Sequence, residues 1–265
     1  MQSKLQTKPK SRVFERGYIN TYSCLNAKER RQLEYKRRYK SETPLWDDTL
    51  VYLAKKFASL GIEGAVVLDA GCGNGNYVID ENRHVISWAV GVDVSKECTK
   101  KNVCLDEIQI SQLETLPFEA CKFDIVISLW VIEHLKNPAK VFKEIQRVLK
   151  PNGVFMFATP NSDFLPLRIA HAINSVKISR FINKKLFGRE EEGVFPTFYK
   201  ANTLLALNNI AKEDFKFEEL RLNSDVSYTV FNQLTYFLSK TAINLPQTFA
   251  KYTHPHIIGV LRPIF

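Results

Sequence analysis

No run of eighteen apolar residues occurs in this chain of 265 residues, so the sequence predicts no membrane-spanning helix. No internal repeat or low-complexity tract occurs either, which argues against solenoids and compositional linkers. Cysteine is scarce: Cys24, Cys72, Cys98, Cys104 and Cys121 make an odd number with no C-x-x-C pair. That pattern speaks against a disulfide framework or a zinc site and is the pattern expected in a reducing cytosol, with the thiols as small buried apolar groups. The opening "MQSKLQTKPKSRVFERG" is basic but lacks the apolar core of a secretory signal. The length suits one domain with insertions, large enough to bury a core without staples.

What the chain does have is misplaced charge. Residues 1–40 hold twelve Lys/Arg and three Asp/Glu, and the remaining residues hold twenty-five of each, so the whole net charge of +9 sits in the first 40 positions. Such an arm suits an anionic membrane surface, a phosphorylated substrate or nucleic acid, and equally a solvated helix face.

After this arm the pattern becomes regular. "NAKERRQLEYKRRYK" is helical in composition, and "SETPLWDD" breaks it. "DDTLVYLAKKFASLG" has helical apolar spacing, with Asp47 or Asp48 as the start and Gly61 as the stop. Strands then alternate with helices: "GAVVLDA", "ISWAVGVDVS", a weaker "NVCLDEIQI", the almost wholly apolar "KFDIVISLWV", and "GVFMFATPN" after the helix "NPAKVFKEIQRVLKPNG", which "KPNG" ends. "FKFEELRLN" reads as a sixth strand and "HIIGVLRPIF" as a last one. Residues 228–250 carry Val230, Phe231, Leu234, Phe237 and Leu238 at the spacing of a helix. His254 and His256 read as strand-edge residues. The expected fold is α/β, a Rossmann-like doubly wound sheet of seven strands, mostly parallel with an antiparallel last strand, plus a helical N-terminal segment and cap insertions. Residues 1–45 are expected to form a basic segment or lid, 46–161 the ligand-binding core, and 162–265 the rest of the sheet with cap helices.

The stretch "VVLDAGCGNGNYV" holds the most chemical information. A glycine-rich turn after the first strand of such a sheet lets backbone approach a ligand. Gly71, Gly73 and Gly75 are spaced G-x-G-x-G, and the third glycine of the dinucleotide fingerprint is replaced by Asn76. Asp69 precedes the turn, where it would repel a pyrophosphate and welcome a cation. Asp93 ends the second strand, where a carboxylate accepts ribose hydroxyls. A ligand with a ribose, a positive charge and no phosphate fits: S-adenosylmethionine rather than NAD.

These residues, with "VGVDVS", "LETLPFEACKFDIVISLWVIEHL" and "LKPNGVFMFATPN" in order, resemble the motifs of class I S-adenosylmethionine-dependent methyltransferases of the small-molecule type, over about residues 64–161. The resemblance implies S-adenosyl-L-methionine as cofactor. It implies that Asp69 orders the loop near the methionine end and that Gly71, Cys72 and Gly73 present backbone to the methionine moiety and ribose. Asp93 would take the ribose hydroxyls, Val94 would pack on the adenine, Leu116 would flank it, and Leu129 would lie near the amino-acid portion. Family members often carry Asp four residues before the Leu of "LPF"; here Gln112 stands there, and its carbonyl accepts the same hydrogen bond.

Methyl transfer asks mainly for proximity and alignment. For a hydroxyl acceptor His134, next to Glu133, is the candidate base, and ordering of the turn is the alternative. Some quinone-pathway relatives read E-x-x-E-H here and bind a metal; Trp130 replaces the first Glu, so no metal is expected. Trp130, Phe198 and Tyr199 are candidates for the acceptor pocket. Tyr39 and Trp46, with Tyr35, are candidates for a lid, with plain packing as the alternative. Arg168, Lys177, Arg180, Lys184 and Lys185 would face acidic lipid or a phosphate-bearing acceptor, or snorkel on a cap helix. The expected acceptor is a small molecule or one linked to lipid or glycan, and the expected location is cytoplasmic, with an anionic membrane surface as a peripheral partner. Strand four lacks an N-P-P-Y type signature, which argues against nucleic acid. An RNA or protein methyltransferase and a non-catalytic S-adenosylmethionine-binding protein are the competing readings.

Overall fold

Alternate residues of "AVVLDA" must point to opposite faces of a strand, and the structure buries both sets. The computed structural model describes residues 27–100, 102–174, 195–226, 229–230 and 232–265. The first helix, α1, spans Ala27–Glu42 and α2 spans Thr49–Ser59. They are followed by β1 (Ala65–Ala70), α3 (Tyr77–Glu81), β2 (Ile86–Asp93), α4 (Lys96–Thr99), β3 (Glu107–Ile110) and β4 (Phe123–Leu129). Then come α5 (Pro138–Val148), β5 (Leu149–Pro160), α6 (Leu165–Asn174), α7 (Leu204–Ala211), β6 (Phe215–Asn223), α8 (Gln233–Ile243), α9 (Ala250–Thr253) and β7 (His256–Pro263). Lys177, Arg180, Lys184, Lys185, Cys24 and Phe231 lie outside the described residues.

The seven strands form one sheet in the order β3-β2-β1-β4-β5-β7-β6. β1 through β5 pair in parallel, and β7 runs antiparallel between β5 and β6. The order reverses between β1 and β4, which places the topological switch point, where open α/β sheets take ligands, at the ends of these two strands. Leu68, Val90, Val126 and Phe155 face α5 and α7 on one side. Val67, Ala89, Ile125 and Met156 face α2 and α3 on the other. Phe142 and Phe155 meet edge to face at 5.4 Å and are wholly buried; truncating either to Ala removes about 3–5 kcal/mol.

The helices start where their chemistry says. Of the two acids ahead of α2, Asp48 is the cap: its carboxylate accepts from the Leu50 and Val51 amides at 3.0 Å. Gly61 ends the turn after α2 at φ +64°.

Three expectations need correction. β3 is shorter than "NVCLDEIQI" and starts only at Glu107; just before it, the Asp106 amide donates to Ala89 O and the Asp106 carboxylate accepts from the Ala89 amide, both at 2.8 Å. "KPNG" does not end α5 but opens β5; Leu149 already pairs with Phe123, and a register shift before Ile125 absorbs the proline. The helical spacing at Leu234, Phe237 and Leu238 is realised in α8, which buries Tyr236 and leaves these three exposed. Tyr236 stacks on Tyr35 of α1 at 5.4 Å, and that stripe of the helix, not the aliphatic one, meets the protein.

The third concerns His256, which is no strand-edge residue. It opens an interior strand, pairing Pro160 on one side and Asn223 on the other, and is 2% exposed. Its Nδ1 lies 2.8 Å from Thr49 Oγ1. Burial pushes this imidazole down to about 4, so it is neutral in the folded state. Between pH 6.5 and about 4 the unfolded chain therefore holds a proton that the native state does not. Stability should fall as pH is lowered across that window, by about 2 kcal/mol from this group between pH 7.5 and 5. Urea melts of wild type and His256→Gln at those two pH values test this: the wild-type loss should exceed that of the variant by about this amount, and equal losses would refute it.

Candidate active site

The residues singled out in "VVLDAGCGNGNYV" converge at the switch point. Past Ala70 the chain turns back over the end of β2, and the Gly71 and Cys72 amides both donate to Val92 O, at 2.8 and 3.1 Å. Gly71, Gly73 and Gly75 take φ of +85°, +40° and +146°, which only glycine adopts without strain. A Cβ on Gly71 would run into the side chain of Val131, just past β4. Around Gly73 and Gly75 a Cβ would meet nothing, so their backbone faces open space. From below, Gly91 makes room for the loop; a Cβ there would lie 2.6 Å from Cys72 Sγ. Asn102 pins the loop from the side, its amide donating to Cys72 O and Gly73 O at 3.1 and 3.2 Å.

Two carboxylates frame this loop. Asp69 is 1% exposed; its Oδ1 accepts from Asn76 Nδ2 at 2.9 Å, and its Oδ2 has no hydrogen-bond partner. Burial pushes its carboxyl up to about 7, against the opposing effect of the Asn76 hydrogen bond and with a smaller contribution from the nearby negative charge of Asp93. Asn76, which replaces the third fingerprint glycine, also caps α3 by accepting from the Val78 and Ile79 amides. Asp93 ends β2 with Oδ2 accepting from the Gly73 amide at 2.9 Å and Oδ1 from the Ser95 amide at 2.8 Å. Each oxygen keeps a second acceptor position. The Gly71, Cys72 and Gly73 amides are thus engaged within the protein. Burial raises the Cys72 thiol far above its usual range, with Asp69 and Asp93 adding to the effect, so it is an inert apolar group.

The remaining candidates divide. Val94 is 57% exposed beside Asp93, and Gln112 is exposed just past β3. Leu116 is buried in the core with Phe118, its amide donating to Glu144 at 2.9 Å. Tyr39 is buried against Val226, Val230 and Tyr236, with Trp46 edge-on at 4.9 Å. Trp46 Nε1 donates to Ser224 O. Neighbouring Asn223 bonds Thr49, which bonds His256, and the His256 ring lies 4.6 Å from that of Trp130.

Beyond β4 the chain is strained. Leu129 closes the strand, half-buried, and Trp130 follows at φ +59°, a conformation costly for an aromatic residue. A 3-10 turn, Ile132–His134, comes next. Glu133 is buried, and its carbonyl accepts from the Phe198 and Tyr199 amides at 2.7 and 3.2 Å. Tyr199 also has positive φ, +50°. Glu133 Oε2 accepts from Thr159 Oγ1 at 3.1 Å, which in turn accepts from Asn202 Nδ2 at 2.6 Å. His134 Nδ1 lies 2.9 Å from Pro196 O. A carbonyl only accepts, so Nδ1 carries the proton and Nε2 is left with its lone pair. Nε2 stands 4.0 Å from Glu133 Oε1. Among the described residues no group of three His, Cys, Asp or Glu is arranged to hold a metal.

Comparison with known proteins places this core among methyltransferases. Residues 68–157 match the methyltransferase domain family. Over this stretch the chain is similar to S-adenosylmethionine-dependent methyltransferases. A probable S-adenosylmethionine-dependent methyltransferase of Mycolicibacterium smegmatis is 38% identical over 102 residues, 37% of this chain and 39% of that one. A malonyl-[acyl-carrier protein] O-methyltransferase of Methylovorus is 33% identical over 133 residues, 44% and 45% of the two chains. The chain thus matches less than half the length of these relatives. The fold extends further: a structure described as a sarcosine dimethylglycine methyltransferase from Galdieria sulphuraria superposes with a TM-score of 0.54 at 16% identity, over 86% of this chain and 98% of that one.

Asn76, Asn102, Thr159 and Asn202 were not anticipated from sequence. Asn76 was within reach, as an N-cap residue directly before "YVI". The other three act across 26 or more residues and leave no local signal. The glycine loop depends on the contact at Gly71. Gly71→Ala should cost ~2–4 kcal/mol, from the positive φ plus overlap with a stiff β-branched side chain. Adding Val131→Ala should restore part of that, because it removes the overlap and leaves the φ. Thermal melts of the single and double variants check this; no rescue by Val131→Ala would contradict the contact.

Proposed function

We propose that this protein transfers the methyl group of S-adenosyl-L-methionine to a small-molecule acceptor, free or linked to lipid or glycan, at the oxygen of a hydroxyl. The observation that carries this is the pairing of Asp69 and Asp93 around an open glycine loop. Asp69 holds an unpartnered buried oxygen and a carboxyl raised to about 7, a state that a nearby cation would relieve. Asp93 offers two spare acceptor positions at a strand end, Val94 an exposed apolar face, and Gln112 an exposed amide. A molecule with a positive charge, a ribose and an adenine matches each of these. When bound, the cofactor supplies a methyl group on a sulfonium, with a neutral thioether as leaving group.

The chain's own residues supply orientation and proton handling. Asp93 orients the sugar hydroxyls by accepting from them. In the neutral tautomer that the Pro196 contact selects, His134 Nε2 takes the acceptor's hydroxyl proton. Glu133 Oε1 at 4.0 Å stabilises the imidazolium that results, and the Thr159–Asn202 chain holds that carboxylate still. Trp130, Phe198 and Tyr199 wall the acceptor beside His134. The Methylovorus relative, named for O-methylation, supports oxygen as the atom modified.

Incubation with methyl-labelled S-adenosylmethionine and fractionated cell extract tests the reading. Label should enter a small-molecule or lipid fraction. His134→Gln should lower kcat about 10²–10³-fold and leave cofactor affinity unchanged. Label confined to RNA or protein would contradict the acceptor class, and an unchanged kcat in the variant would remove His134 as base.

A further inference from the structure

The outward face of α8 and the turn behind it has no counterpart in the core. Leu234, Phe237 and Leu238 are 67%, 65% and 56% exposed, and Leu245 and Phe249 continue the line at about half exposure. Positions 234, 237 and 238 fall on one stripe of α8, opposite the stripe through Tyr236 that packs on α1, and Leu245 lies just past the helix end. Isolated exposed leucines need no explanation, but a contiguous apolar stripe with two phenylalanines does.

The charge around this stripe is net positive. Residues 226–265 contain no Asp or Glu, whereas Lys240, Lys251 and Arg262 are present. α1, which packs beside α8 through Tyr35, carries seven Lys/Arg and three Glu, a net +4. An open cleft of about 690 Å³ runs between the two helices, with Phe237 and Leu245 on one side and Arg38 and Lys240 among its lining. Its single carboxylate, Glu42, is already bonded by Arg38, Lys240 and Tyr236. Lys36, Arg38, Lys40 and Lys240 are paired with Asp225, Glu42 and Asp47, and α1 still carries a net positive charge beside the apolar stripe. An anionic lipid surface offers both halves, acyl chains for the stripe and headgroups for the basic helix.

The face also lies close to the reaction site. Asn161, just past β5, donates to Lys251 O and His254 O at 2.8 Å, tying the α9 turn to the strand end, and two residues on His256 touches Trp130. Leu165 and Ile169 of α6, half exposed, start four residues beyond Asn161.

We infer that the outer face of α8, from Leu234 to Phe249, together with basic α1, docks the protein on an anionic lipid surface. If the methyl-transfer reading holds, this is the side from which a lipid-linked acceptor reaches Trp130 and His134.

The test is co-sedimentation of the full chain with vesicles of phosphatidylcholine alone or with a third phosphatidylglycerol, at low and physiological salt. Wild type should sediment with the anionic vesicles, less at higher salt. Phe237→Glu/Leu238→Glu should lower the bound fraction at least fivefold, and Arg30→Glu/Arg31→Glu should lower it on anionic vesicles. All four residues are exposed, so the fold is kept, which the melting temperature verifies. Titration of each variant with S-adenosylmethionine separates the two readings: affinity should be unchanged, and vesicle binding can fail while cofactor binding stands. Equal sedimentation of wild type and the Glu variants, or none on anionic vesicles at low salt, would overturn the inference. So would a concentration-dependent dimer that Phe237→Glu/Leu238→Glu abolishes, which would make a second copy the occupant.

Discussion

The approach of Gly71 to Val131 is the contact on which the site depends. It lets the end of β1 lie directly against the chain leaving β4, at the one place where the sheet's winding reverses. Once the two strand ends meet, the loop has nowhere to go but over β2, where Val92 O takes two of its amides and Asp93 a third. The same closeness brings the Trp130–His134 turn beside the loop that faces the cofactor space. The closeness of the two strand ends follows from the absence of one methyl group at Gly71.

The two acidic residues show how position sets role. Asp69 and Asp93 both end parallel strands one place apart in the sheet. Asp69 points to the α2–α3 side, beneath the loop, and burial raises its carboxyl to about 7. Asp93 stays half-buried, with an amide on each oxygen. One is a buried charge that waits for a counter-charge, and the other is a polar fork open to hydroxyl groups. A loop held by backbone hydrogen bonds and a single asparagine can accept such a ligand without large rearrangement.

The parallel half of the fold was readable because its signals are local. Apolar runs of strand length, a cap at Asp48 and glycines before an N-cap all act within a few residues. The late part was less readable for physical reasons. The period of α8 is clear in sequence, but which stripe packs depends on Tyr35, nearly two hundred residues earlier. The stripe through Tyr236 packs, and the one through Leu234, Phe237 and Leu238 is exposed. His256 was misread because strand order cannot be seen in sequence: β7 inserts between β5 and β6, so a residue at the start of the last strand becomes interior. The network from Asn202 through Thr159 to Glu133 likewise joins residues that only the folded sheet brings together.

The account stands or falls on the cofactor. Calorimetric titration of the purified chain with S-adenosylmethionine and with its demethylated product, for wild type and Asp93→Ala, addresses it most directly. Micromolar binding of both by wild type, weakened at least tenfold in a variant that still melts cooperatively, is the predicted result. No binding by folded wild type, or undiminished binding by Asp93→Ala, would contradict it.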